Sequence, residues 1–172
     1  MSLNPNSTLT LPQKGRVLRI LSEEPRAPFH WLAMLEHELG TTISVYTRLS
    51  PQRLSQHLNL MKIEFKWLSE SMDPHALSPS LERIHHAIST RIVSDSGLIW
   101  LDAVEYLIHR QGFDAFLAFT RSLADELNGS EWTCSEYKGP YYGSEKYCKK
   151  RKQIYMDKKK TKKCGMKHTW VF

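Results

Sequence analysis

The segment Gly97–Phe113, GLIWLDAVEYLIHRQGF, predicts the centre of the fold. It opens with a continuous apolar run, Leu98–Leu101, which suits a strand buried on both faces of a parallel sheet. Asp102 ends this run. A second apolar set follows at the spacing of a helical turn: Ala103, Val104, Leu107 and Ile108. A strand, an acid and a helix in this order are typical of an open α/β sheet, in which ligands bind beyond the carboxyl ends of the strands.

Length and composition indicate one domain with a buried core. The chain has 172 residues, and 41% of them are hydrophobic. No apolar run approaches the roughly 20 residues that a membrane-spanning helix needs. The N-terminal stretch, MSLNPNSTLTLPQKG, lacks the basic start and the apolar segment of a signal peptide. We therefore expect a cytoplasmic protein that does not contact a membrane.

Charge is distributed unevenly along the chain. Residues 130–172 contain 12 Lys and Arg against 4 Asp and Glu, whereas residues 1–129 contain 12 against 14. All three cysteines also lie in the C-terminal part. The sequence thus predicts a nearly neutral body followed by a small basic region of different composition.

Strand and helix patterns alternate along the body. The predicted strands are 16–21, 42–47, 62–68 and 98–101, and the main predicted helices are 25–39, 51–58, 78–93 and 114–127. This alternation indicates parallel βαβ units in an α/β three-layer sandwich with a mostly parallel sheet. After the last helix such a sheet needs another strand, but the residues that follow are polar and rich in Lys and Tyr. A strand pattern returns only at Thr169–Phe172, TWVF.

These patterns predict four parts of the chain. They are a flexible lead-in at 1–14, the α/β domain at 15–129, a basic Cys-containing insertion at 130–168 and a final strand of the domain at 169–172.

Three segments together resemble a known family. They are Arg48–Pro51 (RLSP), Phe65–Ser69 (FKWLS) and Leu101–Ile108 (LDAVEYLI), the last followed by Gly112-Phe113. Their order and spacing are similar to those of the largely archaeal family catalogued as domain of unknown function 835. The resemblance extends from about Arg16 to Leu127, so the Cys- and Lys-rich region lies outside it. It implies a Rossmann-like domain of the kind often joined to sensor and signalling proteins, and it carries over no catalytic residue.

Asp102 is the first candidate functional residue. Its position is similar to that of the metal-holding acid of phosphate-loop ATPases, but the GxxxxGK[ST] loop that this chemistry needs is absent from the sequence. Two interpretations stay open. Either the carboxylate caps the next helix or orders a turn, or it faces a ligand crevice together with Glu105 and Arg48. The second would make the protein an enzyme or a ligand sensor that acts on a small phosphorylated molecule.

The second candidate is a zinc site at Cys134, Cys148, Cys164 and His168, spaced C-x13-C-x15-C-x3-H. Structural zinc prefers four Cys or His ligands, and a small basic segment gains folding free energy from a bound metal. The usual C-x2-C pair is missing, however. Because three cysteines leave one unpaired, thiols or a metal are favoured over a disulfide framework. The alternatives are a Cys3His zinc site, free thiols and a disulfide.

The third candidate is a surface for nucleic acid or another polyanion. Lysines bind phosphates by releasing counterions, and tyrosine rings stack on unpaired bases. Five tyrosines lie among the Lys and Arg residues of the C-terminal region 130–172. The predicted binding residues are Lys149, Lys150, Arg151, Lys152, Lys158, Lys159, Lys160, Tyr141 and Tyr142. The alternative is a solvated basic loop.

The sequence therefore favours a non-catalytic regulatory or interaction module. Its basic region, stabilised by zinc, is predicted to contact nucleic acid, and a protein partner also fits such a module.

Overall fold

A seven-stranded sheet forms the centre of the fold. The computed structural model describes residues 13–21, 27–93, 95–138 and 169–171. The strands are β1 (Val17–Leu21), β2 (Ile43–Thr47), β3 (Glu64–Leu68), β4 (Ala76–Leu77), β5 (Gly97–Leu101), β6 (Trp132–Lys138) and β7 (Thr169–Val171). The helices are α1 (Ala27–Leu39), α2 (Pro51–Leu54), α3 (Leu81–Ile92), α4 (Val104–Gln111) and α5 (Phe113–Leu127).

The strand order is β4-β3-β2-β5-β6-β1-β7. Every neighbouring pair is parallel except β1 and β7, which are antiparallel. The predicted α/β sandwich with a mostly parallel sheet is therefore confirmed. Among the described residues, no helix has both the length and the apolar character that crossing a membrane requires.

Two apolar clusters cover the two faces of the sheet. Helices α1 and α2 pack on one face, where Leu32 and Leu54 are fully buried. Helices α3, α4 and α5 pack on the other face, where Ile84, Leu107 and Phe116 are fully buried. The sheet is thus the middle layer of three, as the alternation of strand and helix patterns predicts.

β5 is buried on both faces, as its apolar run predicts. Leu98 and Trp100 belong to the α1–α2 cluster, whereas Ile99 and Leu101 belong to the cluster under α3–α5. Each fully buried side chain of this size contributes about 1.5–3 kcal/mol relative to its exposed state. The first residue of the strand, Gly97, must be glycine because a Cβ atom there would lie 2.3 Å from the Thr42 carbonyl oxygen.

The insertion is predicted to start at residue 130, and this boundary is wrong. Residues 132–138 form β6, which lies in the sheet between β5 and β1 and is parallel to both. Apolar periodicity does not indicate this strand, because Thr133, Ser135 and Glu136 are polar and yet almost fully buried. The α/β domain therefore continues to Lys138.

The final strand, predicted at 169–172, corresponds to β7, which pairs with the outer side of β1. Residues 139–168, the remainder of the predicted insertion, lie outside the described residues. Of the predicted lead-in, Gln13 and Lys14 are described. The Thr133 hydroxyl donates to the Gln13 carbonyl oxygen at 2.9 Å, and Lys14 pairs with Glu131.

Two smaller differences concern the segment before α3. Residues 72–77, predicted as a loop, include the short strand β4, whose Ala76 and Leu77 pair with Trp67 and Leu68. Helix α3 is capped by Ser80 rather than opening at Ser78, because the Ser80 side chain accepts a hydrogen bond from the Arg83 N–H.

Two truncations test the position of β6. A chain that ends after Lys138 loses only the edge strand β7 and the residues before it, so we expect it to keep a cooperative thermal unfolding transition. A chain that ends after Ser130 also loses β6, which separates β5 from β1, so we expect no such transition. Circular dichroism melting curves measure both. Equal melting behaviour of the two truncated chains would contradict the placement of β6 within the sheet.

Candidate functional site

The connections that leave β2 and β5 pass to opposite faces of the sheet. β2 and β5 are adjacent and parallel. The chain leaves β2 toward α2 on one face and leaves β5 toward α4 on the other. In open α/β sheets, such a divergence opens a crevice beyond the carboxyl ends of the two strands. Here Thr47 and Arg48 lie at the end of β2, and Asp102 directly follows β5.

Asp102 joins the ends of the two strands. Its side chain is 5% exposed. The Thr47 hydroxyl donates to Oδ2 at 2.7 Å, and the Arg48 backbone N–H donates to Oδ1 at 3.3 Å. The Thr47 Oγ1 atom also accepts a hydrogen bond from the Leu49 N–H at 3.0 Å. The carboxylate therefore orders the turn after β2. It does not cap α4, whose N-cap is Ala103 with no side-chain hydrogen bond.

Burial dominates the acidity of this carboxyl group. The pKa of Asp102 is raised from 3.8 to about 6, and removal of the carboxyl group from water is the largest cause. The hydrogen bonds from Thr47 and Arg48 and the positive charge of Arg48 lower this pKa, but by less than burial raises it.

The Arg48 guanidinium connects the same turn to two further elements. Its Nη1 donates to the Leu68 carbonyl oxygen at the end of β3. The guanidinium carbon lies 4.2 Å from the centre of the Tyr106 ring on α4, a cation–π distance. The Tyr106 hydroxyl accepts a hydrogen bond from Arg110 at 3.3 Å, and Arg110 also pairs with Glu70 at 2.9 Å.

The three segments that carry the family resemblance meet at this point. Arg48 comes from RLSP, Leu68 from FKWLS, and Asp102 and Tyr106 from LDAVEYLI. Of the predicted crevice residues, Asp102 and Arg48 are in contact through the Arg48 N–H. Glu105 is half-buried on the first turn of α4. The arrangement ties the ends of β2, β3 and β5 together.

Glu136 is a second buried acid, and the sequence patterns do not indicate it. It is fully buried in β6, and the Thr120 hydroxyl on α5 donates to its Oε1 at 2.8 Å. In the parallel pairing of β1 with β6, Arg19 is its register partner. No local pattern in the sequence indicates Glu136, because β6 must first be recognised as a strand.

Cys134 lies in an environment that opposes a metal-ligand role. It is fully buried on β6 within the apolar cluster under α5. Burial, and then the charge of Glu136, raises the pKa of its thiol well above the usual value. Zinc binds the thiolate, so this position disfavours coordination. Among the described residues there is no group of three or more His, Cys, Asp or Glu that could hold a metal.

The other predicted ligands and the predicted nucleic-acid-binding residues are outside the part of the chain that the structure describes. Cys148, Cys164 and His168 lie there, as do Tyr141, Tyr142, Lys149–Lys152 and Lys158–Lys160. The zinc site and the nucleic-acid surface therefore stay predictions.

The structure nevertheless describes the two residues that flank the basic segment 139–168. Lys138, the last residue of β6, is the register partner of Leu21 in β1. Thr169, the first residue of β7, is the register partner of Ile20. Both attachment points are thus at the carboxyl end of β1, the same edge of the sheet as Asp102 and Arg48. The segment between them contains 11 Lys and Arg and 2 Asp and Glu.

Comparison with protein families gives a match over most of the body. A family model described as "Protein of unknown function (DUF835)" matches residues 29–131, which is more than half of the chain. The matched range extends from the first turn of α1 to just beyond α5, so it includes Arg48, Asp102 and Tyr106 and ends before β6. No curated protein matches this sequence.

The pKa of Asp102 predicts how Asp102→Asn changes stability with pH. Because the folded-state pKa of about 6 exceeds the ordinary 3.8, the folded protein binds this proton more tightly than the unfolded chain. The stabilisation is fully present below the ordinary pKa and is lost as pH rises through about 6. Asparagine does not titrate. The free energy of unfolding of the wild type, minus that of Asp102→Asn, should therefore fall by up to about 3 kcal/mol between pH 4 and pH 7. Urea denaturation at several pH values measures this difference, and a constant difference would contradict the shifted pKa.

Proposed function

The chain belongs to the DUF835 family of proteins of unknown function, and we propose that it is a non-catalytic regulatory or interaction module that binds single-stranded nucleic acid through residues 139–168. One observation carries this proposal. The strongly basic segment leaves and re-enters the sheet beside a single strand end, at the edge where open α/β sheets bind their ligands.

The contacts of the body support a non-catalytic role. Both oxygens of Asp102 accept hydrogen bonds from the turn after β2, and its carboxylate is almost fully buried. The Arg48 guanidinium is engaged by the Leu68 carbonyl oxygen and the Tyr106 ring. Groups that hold the structure together in this way are poorly placed to exchange partners with a substrate. The body is therefore best suited to support another segment.

The charge of the segment supports a polyanionic partner. Eleven bases against two acids within residues 139–168 create a local positive field that the nearly neutral body does not cancel. One of the five tyrosines is unavailable for stacking on bases, because Tyr137 lies in β6 and stacks on Trp100 at 5.4 Å between ring centroids. The tyrosines of the segment itself are Tyr141, Tyr142, Tyr147 and Tyr155.

Zinc is a second part of the proposal, with a smaller ligand set than the spacing predicts. Cys148, Cys164 and His168 would supply three of the four ligands, and Cys134 would stay a thiol in the apolar core. A metal would supply folding free energy to a segment that contains few apolar side chains.

Binding to labelled single-stranded RNA tests the main proposal. Replacing Lys149, Lys150, Arg151 and Lys152 together by Ser should weaken binding regardless of base sequence. If all four contact phosphates, the slope of log K against log salt should become shallower by about 3. Replacing Tyr141 and Tyr142 by Ala should weaken binding by about 1–3 kcal/mol per stacked base and leave this slope unchanged. Fluorescence anisotropy at two or more salt concentrations measures both effects.

A matched control removes four exposed bases from the body instead: Arg53, Lys66, Arg83 and Arg121, each replaced by Ser. This variant has the same net charge as the segment variant, and we expect it to keep near wild-type affinity. Equal loss of affinity in both variants would contradict a specific role of the segment. Heparin that binds as tightly as RNA would reduce the function to general polyanion binding.

Elemental analysis of purified variants tests the zinc proposal. We expect Cys148→Ser and Cys164→Ser to lose the metal, because each removes a thiolate ligand, and Cys134→Ala to retain it. Zinc binding should also weaken at acid pH, since the ligands must lose protons. A wild-type protein, purified without chelator, that carries well under one zinc per chain would exclude the site. Loss of zinc in Cys134→Ala, with the fold intact, would restore the four-ligand set.

The alternative function is an enzyme or ligand sensor for a small phosphorylated molecule in the crevice near Asp102. The position of the crevice, between strands whose connections diverge, favours it. A thermal-shift screen of phosphorylated metabolites distinguishes the two functions. A compound that stabilises the chain truncated after Lys138 would support the alternative, because that chain lacks the basic segment.

A further inference from the structure

The strand β7 is held on the outer side of β1 by a short pairing. It involves residues 18–20 of β1 and Thr169–Val171, whereas β6 pairs over five residues with β1 and over five with β5. β7 lies at the edge of the sheet and is antiparallel to its neighbour. A short edge strand of this kind can leave the sheet in a local opening that the rest of the fold survives.

The hydrogen bonds between β1 and β7 follow from those between β1 and β6. The Cys134 N–H on β6 donates to the Arg16 carbonyl oxygen at 2.9 Å. Because successive residues of a strand direct their backbone N–H and C=O groups to opposite sides, Ile20 also faces β6 and Arg19 faces β7. The register partner of Arg19 in β7 is Trp170. These two residues therefore form a hydrogen-bonded antiparallel pair, in which each N–H donates to the carbonyl oxygen of the other.

The pairing of β7 with β1 brings together the two ends of the basic segment. Lys138 and Thr169 lie on opposite sides of β1, beside Leu21 and Ile20. They are therefore about 10 Å apart, which is two strand spacings. The 30 residues between them include 11 Lys and Arg against 2 Asp and Glu. Attachment of both ends keeps these like charges close together, so their mutual repulsion opposes the pairing. A polyanion bound to the segment would remove this repulsion.

We propose that β7 is a detachable anchor of the basic segment, and that polyanion binding to residues 139–168 and pairing of β7 with β1 stabilise each other. The coupling to nucleic acid rests on the proposed function. Its sign follows from charge, because neutralisation of the segment favours the arrangement in which both of its ends are attached. Linkage is reciprocal, so the anchored form binds the polyanion more tightly by the same factor by which binding favours the pairing.

Amide hydrogen exchange of the full-length protein, followed by NMR, tests the anchor. The Arg19 amide faces β7 and reports its pairing, whereas the Ile20 amide faces β6 and is an internal control. Between about 0.01 M and about 0.15 M salt the Debye length falls from about 30 Å to about 8 Å. The Arg19 protection factor should rise several-fold over this range, because the repulsion is screened. Single-stranded RNA added at the lower salt should raise it as well. The Ile20 protection factor should change much less in both experiments.

Two proline substitutions at neighbouring positions of β7 test the reciprocal effect. Trp170→Pro removes the N–H that faces Arg19, so it should release β7 and weaken the binding of single-stranded RNA several-fold at low salt. Thr169→Pro is the matched control, because the Thr169 N–H points away from β1 and an edge strand tolerates proline at such a position. It should bind RNA nearly as tightly as the wild type. Trp170→Leu keeps the backbone N–H but lacks the indole ring, so it should bind more tightly than Trp170→Pro.

The outcomes separate this proposal from the proposed function. An Arg19 protection factor that is unchanged by salt or unchanged by RNA overturns the proposal, and so does equal RNA affinity of Trp170→Pro and Thr169→Pro. In these cases RNA binding by the wild type leaves the proposed function in place. Failure of the wild type to bind RNA at low salt would instead refute the proposed function and, with it, the coupling to nucleic acid.

Discussion

The pairing of β2 with β5 is the contact on which the rest of the structure depends. The hydrogen-bond ladder begins where the Leu98 N–H donates to the Thr42 carbonyl oxygen and ends where the Asp102 N–H donates to that of Tyr46. On one side of this pair the sheet grows through β3 and β4, and on the other through β6 and β1. The connections that leave β2 and β5 therefore diverge, and the buried carboxylate of Asp102 joins the ends of these two strands.

The fold could be predicted from sequence wherever apolar residues follow a regular period or form a continuous run. Gly97–Leu101 is an example, because burial on both faces leaves a continuous apolar run. β6 could not be predicted in this way. Its buried residues Thr133 and Glu136 are stabilised by partners far away in the sequence, the Gln13 carbonyl oxygen and the Thr120 hydroxyl. Polar groups that are satisfied by distant partners leave no local pattern.

The candidate site, like the fold, could be predicted from sequence only in part. The end of an apolar strand indicates Asp102, but not the role of its carboxylate, because both donors lie more than fifty residues earlier in the chain. Cysteine spacing groups Cys134 with the other candidate ligands, whereas its strand places it in the apolar core. Composition likewise groups Tyr137 with the tyrosines of the basic region, but Tyr137 stacks on Trp100. In both cases composition alone could not separate the last strand of the parallel sheet from the segment that follows it.

We propose that the α/β body presents residues 139–168 to single-stranded nucleic acid, since the flanking residues Lys138 and Thr169 both lie at the carboxyl end of β1. Ultraviolet crosslinking of single-stranded RNA to the full-length protein, with the crosslinked peptides identified by mass spectrometry, tests this account most directly. We expect crosslinks within residues 139–168, including Tyr141 and Tyr142. Crosslinks confined to the body, for example around Arg48 and Tyr106, with none in residues 139–168, would contradict it.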